Sequence, residues 1–111
     1  MSQVGYKNKT VKVDNRDFLV QVIPFENGSF ISITEGREKI GAMMVSICSR
    51  TRTSTATIIP SKSDSFFLKM VSERLSSTIN GICVASLSIQ KELGLETMKV
   101  LMNEIMEIIR Q

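Results

Sequence analysis

The sequence predicts an α+β domain in which two amphipathic helices pack on one face of a mostly antiparallel sheet of about six strands. In its first sixty residues, short runs rich in β-branched and aromatic residues alternate with turn signals. Apolar residues then recur at three- and four-residue steps in two later segments, as they do on amphipathic helices. A block of strands followed by helices is typical of α+β proteins. With 111 residues, we expect one domain spanning 1–111.

The N-terminal part of the chain is predicted to form the edge of the sheet. Residues 4–13 alternate lysines with valines and a tyrosine, and lysines on an edge strand discourage unwanted pairing. A turn over 14–17 leads to the clearest strand, 18–25, which is rich in β-branched and aromatic residues. Because proline cannot donate a ladder hydrogen bond, Pro24 predicts an edge position or a bulge there.

The next strands follow from turn residues and apolar runs. Residues 26–29 predict a hairpin turn, since Asn27 and Gly28 are able to take positive φ, and 30–34 return as the paired strand. A charged loop over 35–39 precedes residues 40–48, where nearly every position is apolar. Periodicity alone does not separate a buried strand from a buried helix, but this run's length and its glycine favour a strand.

The second half of the chain holds both helices. A loop over 49–53 leads to a strand over 54–59, and a helix is predicted from about 63 to 80. Ser61 or Ser63 is a candidate N-cap, and Asn80-Gly81 is a suitable C-terminal stop. The remaining elements are a strand and a helix, over 82–89 and about 95–110.

Composition argues against most enzymes. The chain has no histidine, which removes the commonest metal ligand, the usual general base near neutral pH and every Ser-His or Cys-His pair. It also has no glycine-rich phosphate loop. We therefore predict a protein that is not an enzyme and that has no cofactor and no metal site.

The two cysteines and the absence of a recognisable targeting segment predict a cytoplasmic protein. Cys48 and Cys83 lie inside apolar runs at a spacing that suits neither a metal site nor a redox pair, which predicts buried, reduced thiols. Residues 1–12 contain no apolar signal segment, and no run of 18 apolar residues exists. We expect no membrane association.

The charge is mildly basic and uneven. The net charge is +3, and residues 1–62 hold nine basic and five acidic groups. Such a surplus suits an acidic partner or a nucleic acid. However, the only tight basic pair is Arg50 with Arg52, and no aromatic residue lies near it for base stacking. Nucleic-acid binding is therefore the less favoured alternative.

Both faces of the predicted sheet look apolar, which a half-exposed sheet would not show. The two helices can cover one face only. Either the strands split into two packed layers, giving a closed monomeric sandwich, or a second subunit stacks its sheet on the other face. We favour the second subunit. The residues predicted for this oligomer interface are Leu19, Gln21, Ile23, Met43, Val45 and Ile47.

The segment from Phe30 to Glu73 resembles eukaryotic proteasome assembly chaperones of the fourth type. The tract 42–50, which ends in Cys-Ser-Arg, is similar to an apolar strand of that family. The Thr/Ser-rich strand over 53–59, the strand over 81–89 and the final helix match in order, so the resemblance spans roughly residues 17–110. An archaeal homologue is one source compatible with this resemblance.

The resemblance implies a non-enzymatic chaperone that assists assembly of the 20S proteasome α-ring. It would bind α-type subunits as a dimer or higher oligomer, with itself or with a type-three-like paralogue. The chain ends Ile-Ile-Arg-Gln and lacks the hydrophobic-Tyr-x tail by which other proteasome chaperones and activators dock. Arginine binds carboxylates bidentately, which makes two charged loops the expected docking residues. These are Arg37, Glu38 and Lys39, and Arg50, Thr51 and Arg52.

Two other functions stay open from the sequence. One is a basic nucleic-acid-binding α+β module, which the pI of about 9.1 favours. The other is a small dimeric scaffold of roadblock or longin type, in which only the architecture would be shared.

Overall fold

The computed structural model describes residues 5–110, in which the chain forms six strands and two helices. In chain order they are β1 (Lys7–Val13), β2 (Arg16–Phe25), β3 (Gly28–Glu35), β4 (Ala42–Ser49), β5 (Arg52–Ile59), α1 (Ser65–Ile79), β6 (Ile82–Ser88) and α2 (Leu95–Arg110). The predicted elements are all present, and their ends agree with the prediction or differ from it by at most three residues. Residue 4, where the first strand was expected to begin, lies outside the described residues.

All six strands belong to one sheet, in the order β1-β2-β3-β6-β4-β5. The strands β1, β2 and β3 form an antiparallel meander, and β4 and β5 form an antiparallel hairpin. The strand β6 joins the two groups by pairing parallel to β3 and antiparallel to β4. The predicted α+β class with a mostly antiparallel sheet is confirmed, and the alternative of two packed sheets is wrong.

Both helices lie on one face of the sheet, as predicted. The helix α1 packs on β4, β6 and β5, while α2 packs on β1 and β2. Alternate strand residues point into this core, because side chains alternate between the two faces of a strand. The largest buried side chains come from both layers, and include Phe18, Ile31, Ile33, Phe67, Leu68, Leu75, Leu101 and Ile105.

Small polar side chains fill the contact between α1 and the sheet. Ser46 in β4 and Ser72 in α1 are both fully buried, and the Ser46 hydroxyl donates to Ser72 Oγ over 2.8 Å. Thr55 Oγ1 lies 2.8 Å from Ser46 Oγ and donates to the Glu73 carboxylate. These hydrogen bonds satisfy hydroxyls that would otherwise be costly to bury. The short side chains also let the helix lie close to β4.

The two ends of α1 differ in how well the sequence predicted them. The N-cap is Asp64, not Ser61 or Ser63, and its carboxylate makes no capping hydrogen bond to the helix. Ser61 Oγ instead accepts a hydrogen bond from the Asp64 amide. The predicted stop is confirmed, since Asn80 adopts the left-handed conformation and the Gly81 amide donates to Ser76 O.

The predicted hairpin between β2 and β3 is confirmed, although Asn27 and Gly28 do not adopt the positive φ that was open to them. Phe25 pairs with Gly28, so Glu26 and Asn27 form the turn, and neither Asn27 nor Gly28 has a positive φ. Glycine is required at 28 for space, because a Cβ there would lie 2.2 Å from Ile82 O in the neighbouring β6.

Pro24 does not mark a bulge, and β2 as a whole is not an edge strand, but Pro24 itself stands at an edge position, as predicted. The strand β2 lies inside the sheet, between β1 and β3. However, the first paired residue of β1 is Lys7, which stands opposite Val22. Beyond Val22, β2 has a described neighbour on one side only, which is where a proline without an amide hydrogen is tolerated.

Candidate protein-interaction surface

The face of the sheet opposite the helices carries an apolar patch at one end. The strand registers place five side chains in a row across β2, β3, β6, β4 and β5, namely Ile23, Phe30, Val84, Val45 and Ala56. Directly opposite residues point to the same face, so these side chains stand side by side. A single band therefore crosses five of the six strands.

A second row lies next to this band, towards the β2–β3 and β4–β5 turns. It contains Phe25, Gly28, Ile82, Ile47 and Ser54. We define the open patch as the large apolar residues of the two rows, Ile23, Phe25, Phe30, Val45, Ile47, Ile82 and Val84. Within it Ile23 is 43%, Ile47 49% and Phe25 63% exposed. A groove of about 160 Å³ runs between Phe25, Phe30 and Ile82.

The other half of this face is polar and largely covered. Gln21, Ser32 and Ser86 follow one another across β2, β3 and β6. The loop of residues 36–41 folds over them, since the Gly41 amide donates to Ser86 Oγ over 3.2 Å and Gln21 Nε2 donates to Glu38 Oε1 over 3.4 Å. Ser86 is consequently buried. The expectation that no other part of the chain covers this face is therefore wrong for its polar half.

All six residues predicted for an oligomer interface lie on this face. Ile23, Val45 and Ile47 belong to the open patch, whereas Leu19, Gln21 and Met43 stand opposite Thr34, Ser32 and Ser86 in the polar half. The strand alternation found the face correctly. The division of the face into two halves depends on the cover by the 36–41 loop, which the alternation does not reveal. That these six residues form an oligomer interface stays a prediction.

The two charged loops lie at opposite ends of the sheet. Arg50 and Thr51 form the turn between β4 and β5, with Arg52 opening β5, and Arg50 adopts φ 60°. Residues 37–39 follow β3 and precede β4 at the other end. The structure therefore does not bring the two groups together. Their contact with a partner also stays a prediction.

The loop of residues 36–41 borders a basic cleft that the sequence did not reveal. The cleft has a volume of about 710 Å³, and its lining includes Lys39, Lys62 and Lys91. These lysines come from three separate connections that meet at this end of the sheet. The nearby Asp64 carboxylate accepts hydrogen bonds from Ser63 and from the Leu93 amide. Because Glu92 also lines the cleft, the three lysines give the cleft only a small cationic surplus over the two carboxylates.

A buried ion pair fixes one wall of this cleft. The guanidinium of Arg16 binds both carboxylate oxygens of Glu35, at 2.6 and 2.8 Å, and also donates to Lys91 O and Glu92 O. The Glu35 carboxylate accepts a further bond from the Gln90 amide. The hydrogen bonds between the two side chains lower the pKa of Glu35 and raise the pKa of Arg16. Nothing in the sequence pattern links these two positions.

Neither metal binding nor membrane spanning finds support in residues 5–110. Within that range no three or more Cys, Asp or Glu side chains are grouped so that they would hold a metal ion. No helix in it combines the length and the apolar character that crossing a bilayer requires.

The fold of this chain is similar to that of a protein in a solved chaperone complex for yeast 20S proteasome assembly. The match has a TM-score of 0.65 and covers 95% of both chains at 12% sequence identity. At that identity the likeness shows a shared fold. No protein-family model and no curated protein matches the sequence.

Proposed function

We propose that this chain is a non-enzymatic assembly chaperone of the 20S proteasome, which acts in the cytoplasm and binds α-type subunits while their ring forms. The observation that carries the proposal is the correspondence of fold over 95% of both chains with a component of a proteasome assembly chaperone complex. The resemblance of residues 30–73 to chaperones of the fourth type is the basis for assigning that type within the proposal.

The open patch supports a protein partner on the face opposite the helices. Large apolar side chains from β2, β3, β4 and β6 meet there, and Ile23, Phe25 and Ile47 remain exposed. A contiguous apolar patch of this kind marks an interaction site in a folded protein. The proposed occupant is the sheet of a second subunit, either this chain itself or a type-three-like paralogue, giving a dimer or higher oligomer.

The charged ends of the sheet are the proposed contacts with α-type subunits. At one end, Lys62 and Lys91 extend the cationic surface of the 37–39 loop around the cleft. At the other end, Arg50 and Arg52 flank Thr51 in an exposed turn. Both arrangements fit carboxylates on a client surface.

Co-expression with α-type subunits tests the proposal. We expect the chain to co-purify with them and to increase the amount of assembled ring on native gels. Val45→Lys, which places a charge in the open patch, should abolish the effect. Thr10→Lys on the same face of β1, outside the patch, should leave it intact. No binding and no change in ring formation with the wild-type chain would remove the proposal.

Charge reversal distinguishes the two ends. Arg37→Glu with Lys39→Glu tests the cleft end, and Arg50→Glu with Arg52→Glu tests the turn. If one pair contacts the client, reversing its charges should lower the affinity of the chain for α-type subunits. It should also reduce the dependence of binding on salt, because charges at the rim of an interface act mainly by steering the partner. Unchanged binding in both pairs would show that neither loop docks the client.

A further inference from the structure

The two edges of the sheet are protected to different degrees. At one edge, β1 carries Lys7, Lys9 and Lys12, and Lys9 forms an ion pair with Glu104 of α2. Lysines on an edge strand oppose pairing with another chain, because that pairing would bury or crowd their charges. At the other edge, β5 carries no charged residue between Thr53 and Ile59.

The strand β5 is also accessible along almost its whole length. Of its eight residues only Thr55 is half-buried, and the other seven are exposed. β5 is the last strand of the described sheet, so its outer backbone groups have no neighbouring strand among residues 5–110. A long, uncharged and exposed edge is a template for strand addition.

We propose that a second copy of this chain adds its β5 to this edge, antiparallel and around a two-fold axis at Thr55. The two sheets would then form one continuous twelve-stranded sheet, with the helices of both copies on the same side.

The register follows from the faces of β5. Thr53, Thr55 and Thr57 stand opposite Cys48, Ser46 and Met44 and point to the helix side, while Ser54 and Ala56 point to the other face. Residues that pair across the seam must share a face. Centring the pair on Thr55 meets this condition, because Thr53 then faces Thr57 and Ser54 faces Ala56 of the other copy.

The charge pattern favours a second copy as the occupant. In this register Arg52 faces Ile58, and the two copies of Arg52 lie at opposite ends of the seam. Threonines facing one another are favourable cross-strand pairs. Pairing two copies through β1 in the same antiparallel way would bring the three lysines of each copy, six in all, into one seam. Only the β5 edge is therefore compatible with self-pairing.

This association has a consequence for the open patch. Val84, Val45 and Ala56 are neighbours in one row, and Ala56 would face Ser54 of the second copy. Ser54 is itself opposite Ile47. The open patches of the two copies would thus lie on one face, separated only by small side chains. The seam does not depend on the identity of the client or on stacking of the patch.

Charges placed at positions 53 and 57 test the seam. Both residues are exposed and point away from the open patch, so stacking on the patch is not affected. In Thr53→Lys with Thr57→Lys, the lysine at 53 in each copy would face the lysine at 57 in the other, so two pairs of like charges would meet. We expect the dissociation constant of the dimer to rise by about tenfold or more. In Thr53→Lys with Thr57→Glu, each lysine would face a glutamate, and association should be retained.

Sedimentation equilibrium is the measurement, carried out in a Val45→Lys background so that stacking on the open patch does not contribute. The 12.4 kDa chain should form a concentration-dependent dimer. The double-lysine variant should be monomeric at the same concentration, and the lysine-glutamate variant dimeric. A monomeric chain in this background, or equal association of the two variants, would overturn the proposal.

Hydrogen exchange provides a readout at the backbone. Outward-facing amides of residues 53–59 should exchange more slowly as the concentration of the Val45→Lys chain increases, because they would then bond to the second copy. The double-lysine variant should show no such dependence. Exchange at these amides that is independent of concentration in both proteins would contradict a strand-to-strand seam.

Discussion

At the scale of single residues, Arg16 and Glu35 hold together segments that are far apart in the chain. Their ion pair joins the start of β2 to the end of β3, and their bonds to Gln90, Lys91 and Glu92 tie down the connection between β6 and α2. Removing Glu35 would leave the largely buried Arg16 guanidinium with only the Lys91 and Glu92 carbonyls as partners, which should destabilise the fold.

The first prediction concerns the pH dependence of this pair. Because Arg16 lowers the pKa of Glu35 below its ordinary 4.5, the folded protein binds this proton more weakly than the unfolded chain. The stabilisation by Glu35 is complete above its unfolded pKa and is lost as the pH falls through its folded pKa. We expect Glu35→Gln to lower the free energy of unfolding by about 1.5–3 kcal/mol at pH 7.

Urea unfolding between pH 7 and pH 3 measures this effect. The difference between the wild type and Glu35→Gln should shrink as the pH falls below about 4.5. Glu26→Gln, in the exposed β2–β3 turn, is the control and should change little. A difference that stays constant with pH would contradict the assignment to the ion pair.

The second prediction concerns the thiol of Cys83, which has no exposed surface. Burial raises its pKa to about 11. Since the thiolate is the reactive form, alkylation at pH 8 should be negligible in the folded protein and should follow global unfolding. Mass spectrometry of a Cys48→Ala chain measures it. Rapid labelling without denaturant would be inconsistent with the buried position.

At the scale of elements, β6 is the strand that makes one sheet from two groups. It pairs with β3 on one side and β4 on the other, so its backbone cannot shift towards either without disturbing the opposite ladder. Gly28 lies where β3 approaches it most closely, and Gly41 makes a similar approach to Leu87 O.

The third prediction follows from that close approach. In Gly28→Ala, the added Cβ would lie 2.2 Å from Ile82 O, and β6 has no free side to which it can yield. We expect a loss of about 1–3 kcal/mol in the free energy of unfolding. Gly5→Ala is the control, because Gly5 lies outside the strands and helices and its added Cβ would have no atom within 4 Å, and it should change stability by about 0.5 kcal/mol or less. Equal effects would refute the steric explanation.

The sequence could predict the strands and helices but not which strands pair with one another. Alternation within β2 separates Leu19, Gln21 and Ile23 from the residues that face the helices, and periodicity gives α2 its apolar stripe, because these are local properties. The parallel pairing of β3 with β6 joins residues about fifty positions apart and leaves no local signal. Likewise, the bond from Gln21 to Glu38 links two residues that were predicted to serve different surfaces.

At the scale of the whole molecule, the two faces of the sheet contribute unequally to stability. The helix-covered face contains the fully buried apolar side chains of the sheet, whereas the open patch on the other face is still in contact with solvent. Apolar area that stays exposed contributes little to folding. The open patch therefore contributes little to the stability of the single chain.

The fourth prediction compares one residue from each face. Ile105 in α2 is fully buried, and Ile105→Ala should lower the free energy of unfolding by about 2–5 kcal/mol. Ile47 is half exposed, and Ile47→Ala should cost about 1 kcal/mol or less. Both values come from denaturant unfolding of dilute protein. A cost at Ile47 as large as that at Ile105 would mean that the open patch is part of the folding core.

The insertion of β6 between β3 and β4 also dictates an order of events during synthesis. The meander over 7–35 and the hairpin over 42–59 are local and can form as soon as they are made, but the gap between them stays empty until residues 82–88 emerge. Until then β3 and β4 each present an unpaired side. Because long-range pairing is slow, closure of this gap should limit the folding rate, and a chain released before residue 82 should aggregate.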